Sequence, residues 1–276
     1  MILLWAMLVL IAANAIAITV MLFVRRRSPE GSFFSDGDRA SGVFGVLAGG
    51  FAIFAGFIIF LAFTTYDASR SGGETEAILV VQQYENAQFL PPAVQRRLGG
   101  ELICYGRSVV HQEWQQMEDG HGEAAINPWS IALFKSIRLA KPASATEEAA
   151  YSKWLDQTSD REQARSDRLH GAEGIVPTSI WLALFLIAGV VFSFMLFFAD
   201  SAERARSQAM LMGSATTVVV LTLLAINALD NPYREGIGQI KPIPMERSLR
   251  ILDRARVIVG DRAPLPCDAA GAPRAT

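Results

Sequence analysis

Two cysteines and three histidines in 276 residues leave little for a metal cluster or a disulfide framework. Charge is scarce too: 19% of residues are charged, and the net of −2 supplies no basic footprint for nucleic acid. There is no Gly-rich phosphate loop, dinucleotide fingerprint or nucleophile–base–orienter set. His111 and Glu113 match no strong metal template. The chain therefore offers no foothold for enzyme chemistry and calls for no cofactor or metal. Strand-like alternation of useful length is missing, and no internal repeat is evident.

Long apolar runs are abundant. Ile2–Val24, Gly42–Thr65, Ile175–Ala199 and Ser207–Leu229 contain no charged residue. Each reaches the length of about 20 residues that a transmembrane helix needs. The organising run is Gly42–Thr65, 24 residues of Phe, Ile, Leu, Ala and five glycines. As a helix it covers roughly 36 Å, enough for a hydrocarbon core of about 30 Å. Ala13-Asn14-Ala15 and Ala15-Ile16-Ala17 resemble signal cleavage sites, but no basic region precedes the run and apolar residues continue to Val24. This predicts an uncleaved first span, with Asn14 near its middle as an interhelical hydrogen-bonding group or else a polar group of a pore or interface.

The first loop carries Arg25, Arg26, Arg27 and Arg39; the loop between runs three and four carries Arg204 and Arg206. Both loops fall on one side if all four runs span, and the positive-inside rule puts that side in the cytoplasm. The N-terminus, the long insert and the C-terminal tail then face outward from a cell (inner) membrane. Residues 67–174 hold 11 basic and 16 acidic residues.

The insert reads as helical throughout. Ala77, Val81 and Tyr84 mark a helix from Glu74 to Phe89. Pro92 opens another, with Val94, Leu98, Leu102, Tyr105 and Val109 on one face and Ile103, Gly106, Val110, Trp114 and Met117 on its neighbour. Gly99-Gly100 is its weak point, and Gly120 and Gly122 close it. Asn127-Pro128 caps a short helix to about Ala140. Ser144 and Glu147 have capping-box spacing and open a helix to about His170. Asp230-Asn231-Pro232-Tyr233 makes a turn after the fourth run. A short helix around Met245–Arg256 follows, and the Pro-, Ala- and Gly-rich residues 263–276 read as disordered. The domain plan is 1–66 for spans one and two, 67–174 for an extramembrane helical domain, 175–229 for spans three and four, and 230–276 for the tail.

Gly45, Gly49 and Gly56 are candidates for close helix packing or a pore neck, Gly45/Gly49 having small-xxx-small spacing. Arg161, Arg165 and Arg168 share a helical face beside Asp156, Asp160 and Asp167. That face is a candidate for attracting anions or a partner, or else a solvated mixed-charge surface. Cys104 and Cys267 fall on the outer side, where a disulfide is permitted; the sequence leaves their pairing open.

The order of parts resembles the bestrophin-like membrane family, a domain of unknown function found in bacteria and plants. The resemblance covers about residues 20–245. It rests on the Gly- and Phe-rich second span running into Glu76-Ala77, Leu90-Pro91, Tyr105, Glu113-Trp114, Arg168-Leu169, Pro177, Trp181 and Asp230-Asn231-Pro232-Tyr233. Bestrophins proper are pentameric anion channels with four spans and a large helical domain between spans two and three. The resemblance thus implies an all-α membrane protein with four transmembrane helices and a helical bundle inserted between the second and third. Bestrophins keep that domain in the cytoplasm, whereas the arginines here put it outside. Two functions fit: an oligomeric ion channel lined by span two, or a non-catalytic accessory, scaffold or sensor subunit binding a partner through its helical domain. Either way the partners are the lipid bilayer and further subunits, as a homo-oligomer or a membrane complex.

Overall fold

A computed structural model describes residues 2–121, 127–236 and 238–274. The chain is all-α: the described residues contain helices and a single isolated β-bridge, Cys267 to Pro273. Four helices are long and apolar enough to cross a membrane: α1 (Ile2–Arg25), α2 (Gly37–Ala87), α7 (Thr178–Leu196) and α8 (Ala205–Asp230). The others are α3 (Pro92–Ser108), a π-helical turn (Val109–Glu113), α4 (Trp114–Glu118), α5 (Pro128–Ile137), α6 (Ala145–His170) and α9 (Ile243–Ile258).

The chain forms two compact units. The first holds residues 1–64, 175–230 and 236–238. In it, Ala17 and Met21 of α1 bury against Met212 of α8. Asn14 accepts a hydrogen bond from Thr217 Oγ1 at 3.3 Å, the interhelical role of the two the sequence allows. Phe51, Ala55 and Ile58 of α2 pack with Leu184 and Val191 of α7 and Ile226 of α8. The two short loops meet at one end: Arg25 Nη2 donates to the carbonyls of Ser201 (3.0 Å) and Glu203, and Gly31 N donates to Asp200 Oδ1 at 3.1 Å. Asp230 acts as a clamp, its carboxylate accepting from the amides of Ile175 and Val176 and from Trp181 Nε1. Those amides precede α7 and have no helical carbonyl to bond.

The second unit gathers residues 65–174, 231–235 and 239–274. Both predicted faces of the helix opened by Pro92 are in its core, although a π turn divides it into α3 and α4: Leu98, Leu102, Ile103, Tyr105, Val109, Trp114 and Met117 are all buried. The caps match the sequence signals. Asn127 Oδ1 accepts from Trp129 N, Ser144 Oγ accepts from Glu147 N, and Gly120 adopts φ 78° after α4. Gly122 lies outside the described residues.

Three expectations change. The helix expected to start at Glu74 is the continuation of the second span, since α2 runs unbroken from Gly37 to Ala87. Gly72 within it is a point of close approach, not a break: a Cβ there would lie 2.7 Å from Ala164 O and Arg168 N of α6. Gly99-Gly100 likewise does not interrupt α3, because Tyr84 and Pro266 pack against these two positions. The segment read as disordered is ordered through Arg274. Cys267 is bonded to Cys104, Asp268 accepts from the amides of Ala270 and Ala272, and Trp129 Nε1 donates to Gly271 O at 2.7 Å. Gly271, at φ 83°, lies so close to the backbone of Ser108 that no side chain fits. A covalent anchor and backbone hydrogen bonds replace the apolar content this segment lacks.

Candidate functional site: a buried ion cluster and an open helix face

The buried stripe of α6 is Ala150, Trp154, Gln157, Arg161, Ala164 and Arg168, polar at half its positions. On α2 the stripe Ala77, Val80, Gln83, Tyr84 and Ala87 includes Glu76, which is fully buried. The π turn at Val109–Glu113 brings the consecutive residues Glu113 and Trp114 both into the core.

These side chains converge on Arg168. Its guanidinium holds Glu76 with two hydrogen bonds, from Nε to Oε2 and from Nη2 to Oε1 (3.0 Å). Nη2 also donates to Glu113 Oε2 at 2.7 Å, and Nη1 lies 3.3 Å from Met117 Sδ. Tyr105 donates its hydroxyl proton to Glu76 Oε1 at 2.6 Å, and Asn127 Nδ2 donates to Glu113 Oε1 at 2.7 Å. Arg165 reaches Glu113 Oε2 at 3.3 Å. Arg161 lies over the Tyr105 ring at 4.7 Å and donates to Gln83 Oε1 at 2.7 Å. The Arg168 carbonyl accepts from Tyr233 OH at 2.6 Å, and Tyr233 meets Trp114 edge-on at 5.6 Å.

Burial alone would raise the Glu113 carboxyl, but the guanidiniums of Arg168 and Arg165 outweigh it and hold the group below its ordinary value. Burial first, and Glu76 second, push the Tyr105 phenol well above its usual range, so it stays a donor. Arg168 is itself held more firmly protonated, because its two carboxylates more than offset desolvation. A depressed carboxyl stabilises the folded state above the ordinary value of about 4.3, and that contribution is lost as pH falls through the lower folded value. Melting temperature in detergent is therefore expected to fall steeply below about pH 4.3. Glu113→Gln should flatten that acid limb while lowering stability near neutrality.

The arginine face is thereby corrected. Arg161 and Arg168 are 1% and 0% exposed, so they neither line an anion-facing surface nor form a solvated mixed-charge helix. Arg168 turns inward because Glu76 and Glu113 supply its counter-charge in the core, and Arg161 does so against Gln83, the Tyr105 ring and Glu162 at 2.9 Å. Asp156 and Asp160 take the solvent side. Among the described residues no group of three or more His, Cys, Asp or Glu side chains is placed to hold a metal. His111 is exposed and Glu113 buried, which separates that pair.

The candidate glycines lie elsewhere, on α2. Gly45, Gly49 and Gly56 share one side of the helix with Gly42, Ile53 and Phe60, at spacings of three, four and seven residues. Phe51, Ala55, Ile58 and Ala62 form the opposite, buried side. Among the described residues, a Cβ built on Gly42, Gly45, Gly49 or Gly56 meets nothing within 4 Å outside its own helix. Gly213 differs, with Asn14 and Ile18 of α1 against it at 3.4 Å. Ile53 is 77% and Phe60 62% exposed.

The model of the Bestrophin-like domain matches residues 11–245. The chain belongs to the Bestrophin-like family. Solved structures agree in fold. Two variants of a bacterial bestrophin homologue from Klebsiella pneumoniae superpose with TM-scores of 0.65 and 0.67 at 16% and 14% identity. They cover 94% and 93% of this chain, and 99% and 98% of their own. No curated protein matches in sequence. Of the residues that carry the family resemblance, Glu76, Tyr105, Glu113, Trp114, Arg168 and Tyr233 meet in the buried cluster. In the sequence Glu76 and Glu113 stand only as family markers, with nothing to tie them to Arg168. The available signal was a carboxylate on each of two otherwise apolar helical stripes. This is a bestrophin-like membrane protein with a buried ion cluster in the core of its helical unit.

Proposed function

We propose that the protein is a membrane ion channel built as a homo-oligomer, with the Gly45–Gly49–Gly56 side of α2 lining the conduction path. The observation that carries this reading is the open side of α2. Glycines and apolar residues lie on the side opposite the buried face of α2, and among the described residues nothing lies within 4 Å of a Cβ placed on these glycines. Small residues let helix backbones approach across a subunit boundary, and an apolar ring of Ile53 and Phe60 makes a neck of the kind that gates by dewetting. On this reading α1, α7 and α8 hold α2 in place and face lipid. The ion cluster keeps the extramembrane half of α2 rigid and touches no ion.

The orientation is inferred from charge. The arginine-bearing loops meet at one end of the membrane unit, and arginines there are retained in the cytoplasm. An inner-membrane protein so oriented carries its helical unit on the outer side, opposite to bestrophins proper.

Gly49→Leu tests the path. A Cβ at this position meets nothing within 4 Å among the described residues, and Gly49 lies outside the helical unit, so melting of that unit should be unchanged. Oligomer mass in detergent and ion flux from liposomes should both fall. An unchanged oligomer with unchanged flux would remove this side of α2 from the path. The accessory-subunit reading draws on α9, whose last turn exposes Val257 at 81% and Ile258 at 84%, and it predicts no flux for either protein.

A further inference from the structure

Cys104 lies in the middle of α3 and Cys267 on the C-terminal segment, and both are completely buried once bonded. Around them the segment is sewn to α3. Arg107 Nη1 donates to Asp268 O at 3.0 Å, Gln112 Nε2 donates to Ala270 O at 3.1 Å, and Pro266 packs over Gly100. A protein oxidant cannot reach sulfurs enclosed in this way, so the bond has to form before the segment seats. The cytosol keeps thiols reduced, and structural disulfides belong to oxidising compartments. Loop arginines and a buried disulfide are independent features, and they agree on the side of the membrane to which the helical unit belongs.

We propose that Cys104 and Cys267 are joined outside the cytoplasm by a disulfide-donating thiol oxidant acting on the still-open chain, and that this step fastens residues 263–274 onto α3. One cysteine thiolate attacks the donor's disulfide and releases one donor thiolate, giving a mixed disulfide. The second cysteine thiolate then attacks this protein's sulfur in the mixed bond, closing Cys104–Cys267 and releasing the other donor thiolate. Two electrons pass to the donor, which leaves as a dithiol carrying the two protons. The partner class is thus a disulfide-exchange protein that meets the chain during assembly. The proposal rests on the orientation inferred above and not on ion conduction.

The test uses the unaltered full-length chain in growing cells, quenched in acid and alkylated under denaturing conditions with a bulky maleimide polymer. In normal cells the chain should take up no polymer until it is reduced, and then two, one for each of its cysteines. In cells lacking the disulfide donor most chains should take up two without reduction, and oxidised glutathione in the medium should restore the closed form. Two polymers per chain without reductant in normal cells would overturn the proposal and place the unit in the cytosol. A closed form unchanged by loss of the donor would overturn the role of the oxidant. Flux is not read, so a silent channel leaves the result intact.

Discussion

Arg168→Ala is expected to unfold the helical unit while leaving the apolar spans able to insert. The substitution removes the one cation that touches both Glu76 and Glu113, each with at most 2% of its side chain exposed. Breaking a buried pair from one side leaves an uncompensated charge in low dielectric, at a cost of about 3–5 kcal/mol. Here Glu76 loses its only ion-pair partner among the described residues and keeps the Tyr105 hydroxyl, while Glu113 keeps Arg165 and Asn127, so the cost falls mainly on Glu76. That cost is a large share of a domain stability of about 5–15 kcal/mol. Arg168→Lys should rescue little, because an ammonium cannot reproduce the fork that bonds Glu76 twice while reaching Glu113. The measurement is proteolysis of membranes followed by fragment mass. Cleavage within 65–174 should rise sharply for both variants. Retention of a wild-type pattern by Arg168→Ala would mean that the cluster does not hold the unit together.

Cys267→Ser is expected to have the second largest effect. The bond joins positions 163 residues apart, and loss of a native disulfide costs typically about 2–5 kcal/mol. Much of this arises in the unfolded chain, which no longer has a closed loop. The folded unit also loses its grip on residues 263–274, whose remaining contacts are chiefly hydrogen bonds to α3 and Trp129. Amide exchange should rise first in that segment, and the denaturant midpoint should fall. Cys104→Ser should cost a similar amount, and the double variant little more than either, since both remove one bond. Equal midpoints for wild type and Cys267→Ser would show that the bond adds no stability.

The four spans are legible because charge-free runs of that length have few other uses, and the caps at Ser144, Asn127 and Gly120 follow from local chemistry. What escaped sequence reading depends on partners distant in the chain. Hydrophobic periodicity cannot find the buried stripe of α6, because half of its residues are polar. Arg168 looks solvent-facing until Glu76, 92 residues earlier, is brought to it. A separate helix reads as starting at Glu74, whereas Gly72 lies inside one continuous helix and against α6, which occupies the space a side chain would need. The tail reads as disordered because composition carries no record of a bond to Cys104. For Gly45, Gly49 and Gly56 the spacing allows packing within one subunit or between subunits, and among the described residues nothing lies within 4 Å of a Cβ placed there.

Ion flux from liposomes holding the purified wild-type oligomer tests the central claim most directly. Conduction along the open side of α2 predicts flux well above that of empty liposomes, reduced by Gly49→Leu. Liposomes that stay tight at every salt, pH and voltage applied, with the oligomer intact, would contradict the channel reading and leave the accessory-subunit reading in its place.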